Sequence, residues 1–127
     1  MSDTQAVTEE LVEEICQAFN RHDVEAIVDY FSEDGEWLMA RGPEHPHGRR
    51  CVGRREIGEV LTARFKVIPD MRWEDTRHWV VGNKAFSEWI VKGTTTAGET
   101  MDHMGCDLWE FANGKLVKKD TYWKLIE

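Results

Sequence analysis

The chain has 127 residues, 41% hydrophobic and 31% charged, with a formal net charge of −8. That length supports one core and a single domain over residues 1–127, and the acidic balance argues against a sequence-independent grip on nucleic-acid phosphates, which needs excess Lys and Arg. No apolar run reaches the length of a membrane span, and Met1-Ser2-Asp3-Thr4 does not open a basic-then-apolar leader, so a cytoplasmic location is the expectation.

Val7, Leu11, Ile15 and Phe19 recur at every fourth residue, with Val12 and Cys16 beside them. This spacing predicts an amphipathic helix that stops near Asn20. Asp23 is placed to cap a second helix carrying Val24, Ile27, Val28 and Phe31 on one side. Gly35 ends it, and "EWLMA" (36–40) reads as a short strand. Residues 41–53 read as a loop, because Gly42, Pro43, Pro46, Gly48 and Gly53 crowd into it. A third helix follows on Ile57, Val60, Leu61 and Phe65, ending before Pro69. From Met71 onward four β-rich runs are separated by Gly82-Asn83, Ala97-Gly98 and Asn113-Gly114, which are hairpin turn signals. Three helices and then a meander predict an α+β fold, the helices packed on one face of an antiparallel sheet.

Within "GCDLWEF" (105–111), Asp107 stands in the middle of a strand, a position that disfavours a carboxylate. A pocket would explain it. If "FANGK" closes a three-residue loop with Gly114 left-handed, Phe111 faces Lys115 and Asp107 faces Lys119 on the same side of the sheet. A two-residue Asn-Gly turn would instead oppose Asp107 to Asp120, and like charges disfavour that register. The same counting sets Asp107 against Ser87, Trp89 against Gly105 and Val91 against His103, then Ser87 against His78 and Trp89 against Thr76. The inward stripe is His78, Ser87, Trp89, His103, Asp107, Lys119, Thr121 and Trp123, with Glu88 replacing Ser87 in the alternative register of the third turn. Six Trp suit a lined cavity or an interface, and a Trp-rich core equally. On the opposite face Phe86, Ile90, Met104, Cys106, Leu108 and Tyr122 leave more apolar surface than a solvated sheet should show, which suggests a homodimer through that outer face.

The element order, with "HDVEAIVDYFSEDGEW" and "DLWEFANGKLVKKDTYW", resembles the nuclear transport factor 2-like superfamily, in its SnoaL-like and ketosteroid isomerase-like branch. The resemblance implies a cone: a strongly curved antiparallel sheet wrapped around N-terminal helices, an apolar pocket inside, and frequent dimers. It implies for Asp107 the place of the isomerases' hydrogen-bond-donating aspartic acid, a carboxyl held neutral by its apolar surroundings. For Trp123 it implies the place of a pocket-wall Trp. The isomerase tyrosine would fall at Ile15, its general base at about Met39, and the cyclase aspartate at Thr121, so neither proton-transfer set is complete.

The resulting expectation is a small, largely apolar ligand and cofactor-free acid/base chemistry beside a carbonyl (isomerisation, cyclisation or dehydration). Asp107, Lys119 and His103 are the candidate catalytic groups, with Trp89, Trp123, Ser87, His78, Thr121, Tyr30 and Trp37 around the ligand. A non-catalytic binding or accessory subunit is the alternative, and Asp107–Lys119 as a purely internal salt bridge is the bland reading of the pair. Three widely spaced cysteines argue against a disulfide framework. Cys51 among Arg49, Arg50, Arg54 and Arg55 reads as a surface loop thiol, or less plainly as a reactive thiolate. The four arginines read as a solvated run, or as a welcome for an anionic group. "EHPHG" (44–48) has a His-x-His spacing but no evident third ligand, so no metal is expected.

Overall fold

The computed structural model describes residues 6–127, so the expectation drawn from Met1–Thr4 lies outside the described residues. Helix α1 (Glu9–Asn20) begins where Thr8 Oγ1 accepts a hydrogen bond from the Leu11 amide at 3.0 Å, satisfying one of the free N–H groups of the first turn. Val7 therefore precedes the helix rather than starting it, yet it still packs on the core. Helix α2 (Val24–Tyr30) is capped by Asp23, which accepts from the Ala26 amide at 3.2 Å. Phe31, expected on this helix, has already turned extended and is fully buried as the first residue of strand β1 (Phe31–Glu44).

The expected loop over 41–53 is the main departure from the sequence reading. Strand β1 runs through it to Glu44, and β2 (Gly48–Val52) returns antiparallel, pairing Trp37 with Cys51 and Met39 with Arg49. Pro and Gly are tolerated here because β2 is an edge strand and the pairing is irregular between Met39 and Glu44. Helix α3 (Arg54–Val67) follows, and then β3 (Arg72–Val81), β4 (Lys84–Thr94), β5 (Thr100–Ala112) and β6 (Lys115–Trp123).

The six strands form one curved, open sheet in the order β2-β1-β6-β5-β4-β3. Every neighbouring pair is antiparallel except β1 with β6, which is parallel, so the sheet is mixed. Irregular pairings within β1, β3 and β6 increase the local twist, and they let the sheet curl around the helices. No described helix is long and apolar enough to cross a membrane.

Two of the three hairpin registers follow the sequence count. Ser87 faces Asp107, Trp89 faces Gly105 and Val91 faces His103 across β4–β5, while His78 faces Ser87 across β3–β4. Trp89 meets a bulge, with Asp75 at φ 55, where Thr76 alone was expected. The last hairpin follows neither register. Asn113 (φ 52) and Gly114 (φ 77) make a two-residue turn that pairs Ala112 with Lys115. The register then shifts, so that Glu110 pairs with Lys118, and Asp107 faces Thr121 while Lys119 faces Trp109. The shift restores the parity that the short turn would have reversed. Lys119 is buried three positions after Leu116, and Asp107 with Lys119 looks inward after all.

Candidate functional site

The interior holds a closed polar cluster. Asp107 Oδ1 accepts hydrogen bonds from Lys119 Nζ at 3.0 Å and Thr121 Oγ1 at 2.6 Å, and Oδ2 accepts from the Trp89 indole at 2.8 Å. Three donors aimed at two oxygens suit a carboxylate. The hydroxyl oxygen of Thr121 also accepts from Lys119 Nζ at 3.1 Å and from the Trp37 indole at 2.9 Å, which uses its one proton and both lone pairs. The Lys119 ammonium lies 4.8 Å from the ring centroid of Phe19, 4.9 Å from that of Trp37 and 5.5 Å from that of Trp109. Both members of the ion pair are almost wholly withdrawn from solvent, with side chains 3% and 4% exposed.

Beside Asp107 the free space is about 10 Å³, enclosed by Cys16, Phe19, Trp73, Trp89, Trp109 and Lys119. That holds about one water molecule and no organic ligand. The ligand-sized hollow expected around Asp107 is therefore filled by aromatic rings. Burial, and then the neighbouring Asp107 charge, pushes the Cys16 thiol well above its ordinary range, so it remains a packed thiol.

A second polar line runs beside the first. His78 Nε2 lies 2.6 Å from Glu13 Oε1 and Nδ1 lies 2.7 Å from Ser87 Oγ, which also accepts from the Trp109 indole at 2.9 Å. The Glu–His–Ser order has the form of an activated nucleophile, but Ser87 is fully buried and hemmed by Trp109, so nothing can approach it. Burial alone would raise the Glu13 pKa; hydrogen bonds from His78, Gln17 and Thr76 outweigh it and leave the carboxyl below its usual range.

Open space lies instead on the surface: shallow clefts of about 720 Å³ between α2 and α3 and about 430 Å³ on the outer side of β3 and β4, and a larger one at the mouth of the cone. A cleft of about 790 Å³ opens between α3, the β1–β2 ribbon and the ends of β5 and β6. Met39, Val60, Ile68 and Met101 give it apolar walls, and His103 and Trp123 line it with stacked rings whose centroids are 4.9 Å apart and 14° from parallel. Arg64 projects from α3, its guanidinium carbon 5.7 Å from the centroid of the Trp123 ring, and Arg41 and Arg49 join it in the wall. Burial, and then the positive charges of Arg41 and Arg49, holds the Arg64 guanidinium below its ordinary pKa.

The residues expected at one site thus divide between two places. Asp107, Lys119, Thr121, Ser87, Trp89 and Trp37 sit in the closed interior, with His78 at its edge. His103 and Trp123 face the cleft. His103 and Asp107 share a face of β5 but stand four residues apart, about 13 Å along a strand. Tyr30 belongs to neither place; its hydroxyl donates to Glu14 on the outer side of the helices at 2.9 Å, because α2 ends before its side chain can turn under the sheet.

Of the arginine run, only Arg49 reaches the cleft: Arg50 pairs with Glu36, Arg55 with Glu59, and Arg54 donates to the Phe31 carbonyl. Cys51 is neither a loop thiol nor reactive. It is a fully buried strand residue against Met39, and burial raises its pKa. His45 and His47 occupy the β1–β2 turn, and among the described residues no three His, Cys, Asp or Glu side chains converge as a metal site would require. Sequence reading missed Trp109 and Arg64. The alternation through Asp107 and Phe111 would have found Trp109, whereas nothing local distinguishes Arg64 from any other helical arginine.

The SnoaL-like domain family matches residues 12–119, and the chain belongs to that family. The fold is shared with a candidate polyketide cyclase from Xanthomonas campestris pv. campestris (TM-score 0.80, 21% identity, covering 91% of this chain and 88% of that one). It is shared equally with a candidate polyketide cyclase from Pseudomonas putida (TM-score 0.79, 22% identity, 98% and 93% covered). A third structure, from Catenulispora acidiphila, is a hypothetical protein with a ketosteroid isomerase-like fold in complex with trimethylamine (TM-score 0.79, 18% identity, 94% and 88% covered). No curated protein matches the chain.

Proposed function

We propose that this protein binds a small, largely apolar molecule in the cleft at the cone mouth, while the Asp107 cluster beneath it holds the fold. The observation that carries this reading is the contrast in free space, about 790 Å³ at the mouth against about 10 Å³ beside Asp107. Only the first accommodates an organic molecule. Membership in the SnoaL-like family supports a small-molecule role in general terms.

The test is ligand screening by NMR on the six indole N–H signals, assigned by single Trp→Phe variants. Bound fragments are expected to shift Trp123 and leave Trp89 and Trp109 in place. Shifts centred on Trp89 and Trp109 would show that ligands enter the interior, and the proposal would fail in favour of Asp107 as a contact.

A second reading, cofactor-free acid/base turnover beside a carbonyl, is favoured by His103. Its ring lines the cleft, and among the described residues its nitrogens have no hydrogen-bond partner. In this reading His103 takes a proton from the carbon next to the carbonyl and returns it elsewhere on the same molecule. Faster hydrogen–deuterium exchange of α-tetralone in D₂O than in buffer alone, lost in His103→Gln, would support it; exchange at the buffer rate with wild-type protein counts against it.

The convex face is proposed to seat a second copy of the chain. Trp79, Met104, Leu108 and Tyr122 are 42–51% exposed there, among charges of both signs such as Lys118 and Asp120, so the patch can be complementary to itself across a two-fold axis.

A further inference from the structure

Arg64, Arg41 and Arg49 form a group of cations in a chain whose net charge is −8. Arg50, Arg55, Arg72 and Arg77 each have a carboxylate partner, whereas among the described residues Arg41, Arg49 and Arg64 have none. Arg21 and Arg54 have none either, but they lie away from the cleft and Arg54 donates to the Phe31 carbonyl. Three acids do line the same cleft, but two are engaged: Glu56 accepts from the Val52 amide at 2.6 Å, and Glu59 pairs with Arg55. The third, Glu99, is exposed on the β4–β5 connection. The cations Arg41 and Arg49 act on Arg64 more strongly than the opposing Cys51 thiol does.

Arg64 is also half-buried, so its unanswered charge is costly unless something supplies an anion. Trp123 lies under the guanidinium and Met39, Ile68 and Met101 stand alongside, which makes the surroundings of the cation apolar. A polyphosphate or a nucleotide would draw mainly on the two exposed rim arginines, Arg41 and Arg49, and it would waste the apolar wall beside Arg64. A single carboxylate fits better, because a guanidinium meets its two oxygens with parallel hydrogen bonds.

Building on the proposed small-molecule role of the cleft, we infer that its ligand is an organic carboxylate with a flat apolar body, the carboxylate held by Arg64 with Arg41 and Arg49 beside it and the body lying against His103, Trp123 and the methionines. The fold alone does not specify this class of molecule; the unpaired arginines do.

The experiment compares naphthoate with naphthamide, the same ring system with and without the charge, by calorimetry and by the Trp123 indole signal. Naphthoate is expected to bind about tenfold or more tightly than the amide, the range of a charge-assisted hydrogen bond. Arg64→Gln should bring naphthoate down to the amide's affinity and leave the amide within about twofold. Should Arg64→Gln fail to fold, Arg41→Gln, at an exposed rim position, should still weaken naphthoate by about threefold.

Equal binding of acid and amide, both moving Trp123, would overturn the carboxylate and leave the small-molecule reading standing. Inorganic phosphate displacing naphthoate at lower concentration than benzoate does would also overturn it, assigning the arginines to phosphate. If neither aryl compound moves Trp123, the carboxylate inference and the cleft reading fail together.

Discussion

The interior around Asp107 and the cleft around Arg64 use the same materials, charged groups set among aromatic rings, to opposite ends. In the interior every polar atom is answered from within the chain: Lys119, Thr121 and Trp89 satisfy Asp107, and three rings surround the ammonium. At the mouth Arg41, Arg49 and Arg64 have no carboxylate partner among the described residues, and His103 and Trp123 stack beside open space. A complete hydrogen-bond inventory marks a structural cluster, and an incomplete one facing a cavity marks a place for a ligand. Charge burial alone does not separate the two cases.

The contrast between the two regions breaks most visibly at Lys119. Lys119→Met leaves Asp107 buried without its cation and is expected to lower unfolding stability by about 3–5 kcal/mol in urea titration. The double variant Lys119→Met with Asp107→Leu should recover much of that loss, because the uncompensated charge is gone. Loss of less than about 1 kcal/mol in the single variant would mean that water reaches Asp107 and the interior is not closed.

Gly105→Ala should come next. A Cβ at this position would lie 2.5 Å from the Tyr122 carbonyl oxygen and 2.6 Å from the Trp89 ring, so the indole that donates to Asp107 must move. A destabilisation of about 1–3 kcal/mol by thermal melting is expected, with the signals of both Trp89 and Trp123, the cross-strand partner of Gly105, displaced. An unchanged melting temperature would show that the Trp89 ring moves aside without cost.

A smaller effect is expected from Glu13. Its folded pKa lies below the ordinary 4.5, so its contribution to stability is present above that pH and is lost as pH falls through the folded value. Glu13→Gln should therefore lower stability modestly at neutral pH, where that contribution is fully present, and flatten the acid side of the stability curve. An unchanged acid limb would show that Glu13 makes no such contribution. Least of all, Tyr30→Phe should alter stability by under about 0.5 kcal/mol and ligand binding not at all, since the half-buried ring keeps its packing and only the exposed hydrogen bond to Glu14 is lost.

Much of this was legible in the residues. Helical spacing and the Asp23 cap mark the first two helices, although the Thr8 cap that starts α1 after Val7 emerged only in the structure, and the β4–β5 register could be counted from its turn. The inward direction of Asp107 and Lys119 was also reached, but through a register that the chain does not use. A two-residue turn and a shift in β6 together give the parity that a three-residue loop would have given. The residues carry no signal that separates these routes, because irregular pairing depends on how neighbouring strands curve.

By itself the sequence determined the order of elements and the inward face of β4 and β5, since these follow from local periodicity and turn chemistry. Tertiary structure alone decided whether the residues around Asp107 enclose a hollow. Side-chain volume must be summed over α1, β4, β5 and β6 before a void can be found or excluded, and the sum fills the interior with Phe19, Trp37, Trp89 and Trp109. It also decided that Arg64, eleven residues beyond Gly53 on α3, meets Arg41 and Arg49 across open space. Long-range packing makes that neighbourhood, and no short stretch of residues encodes it.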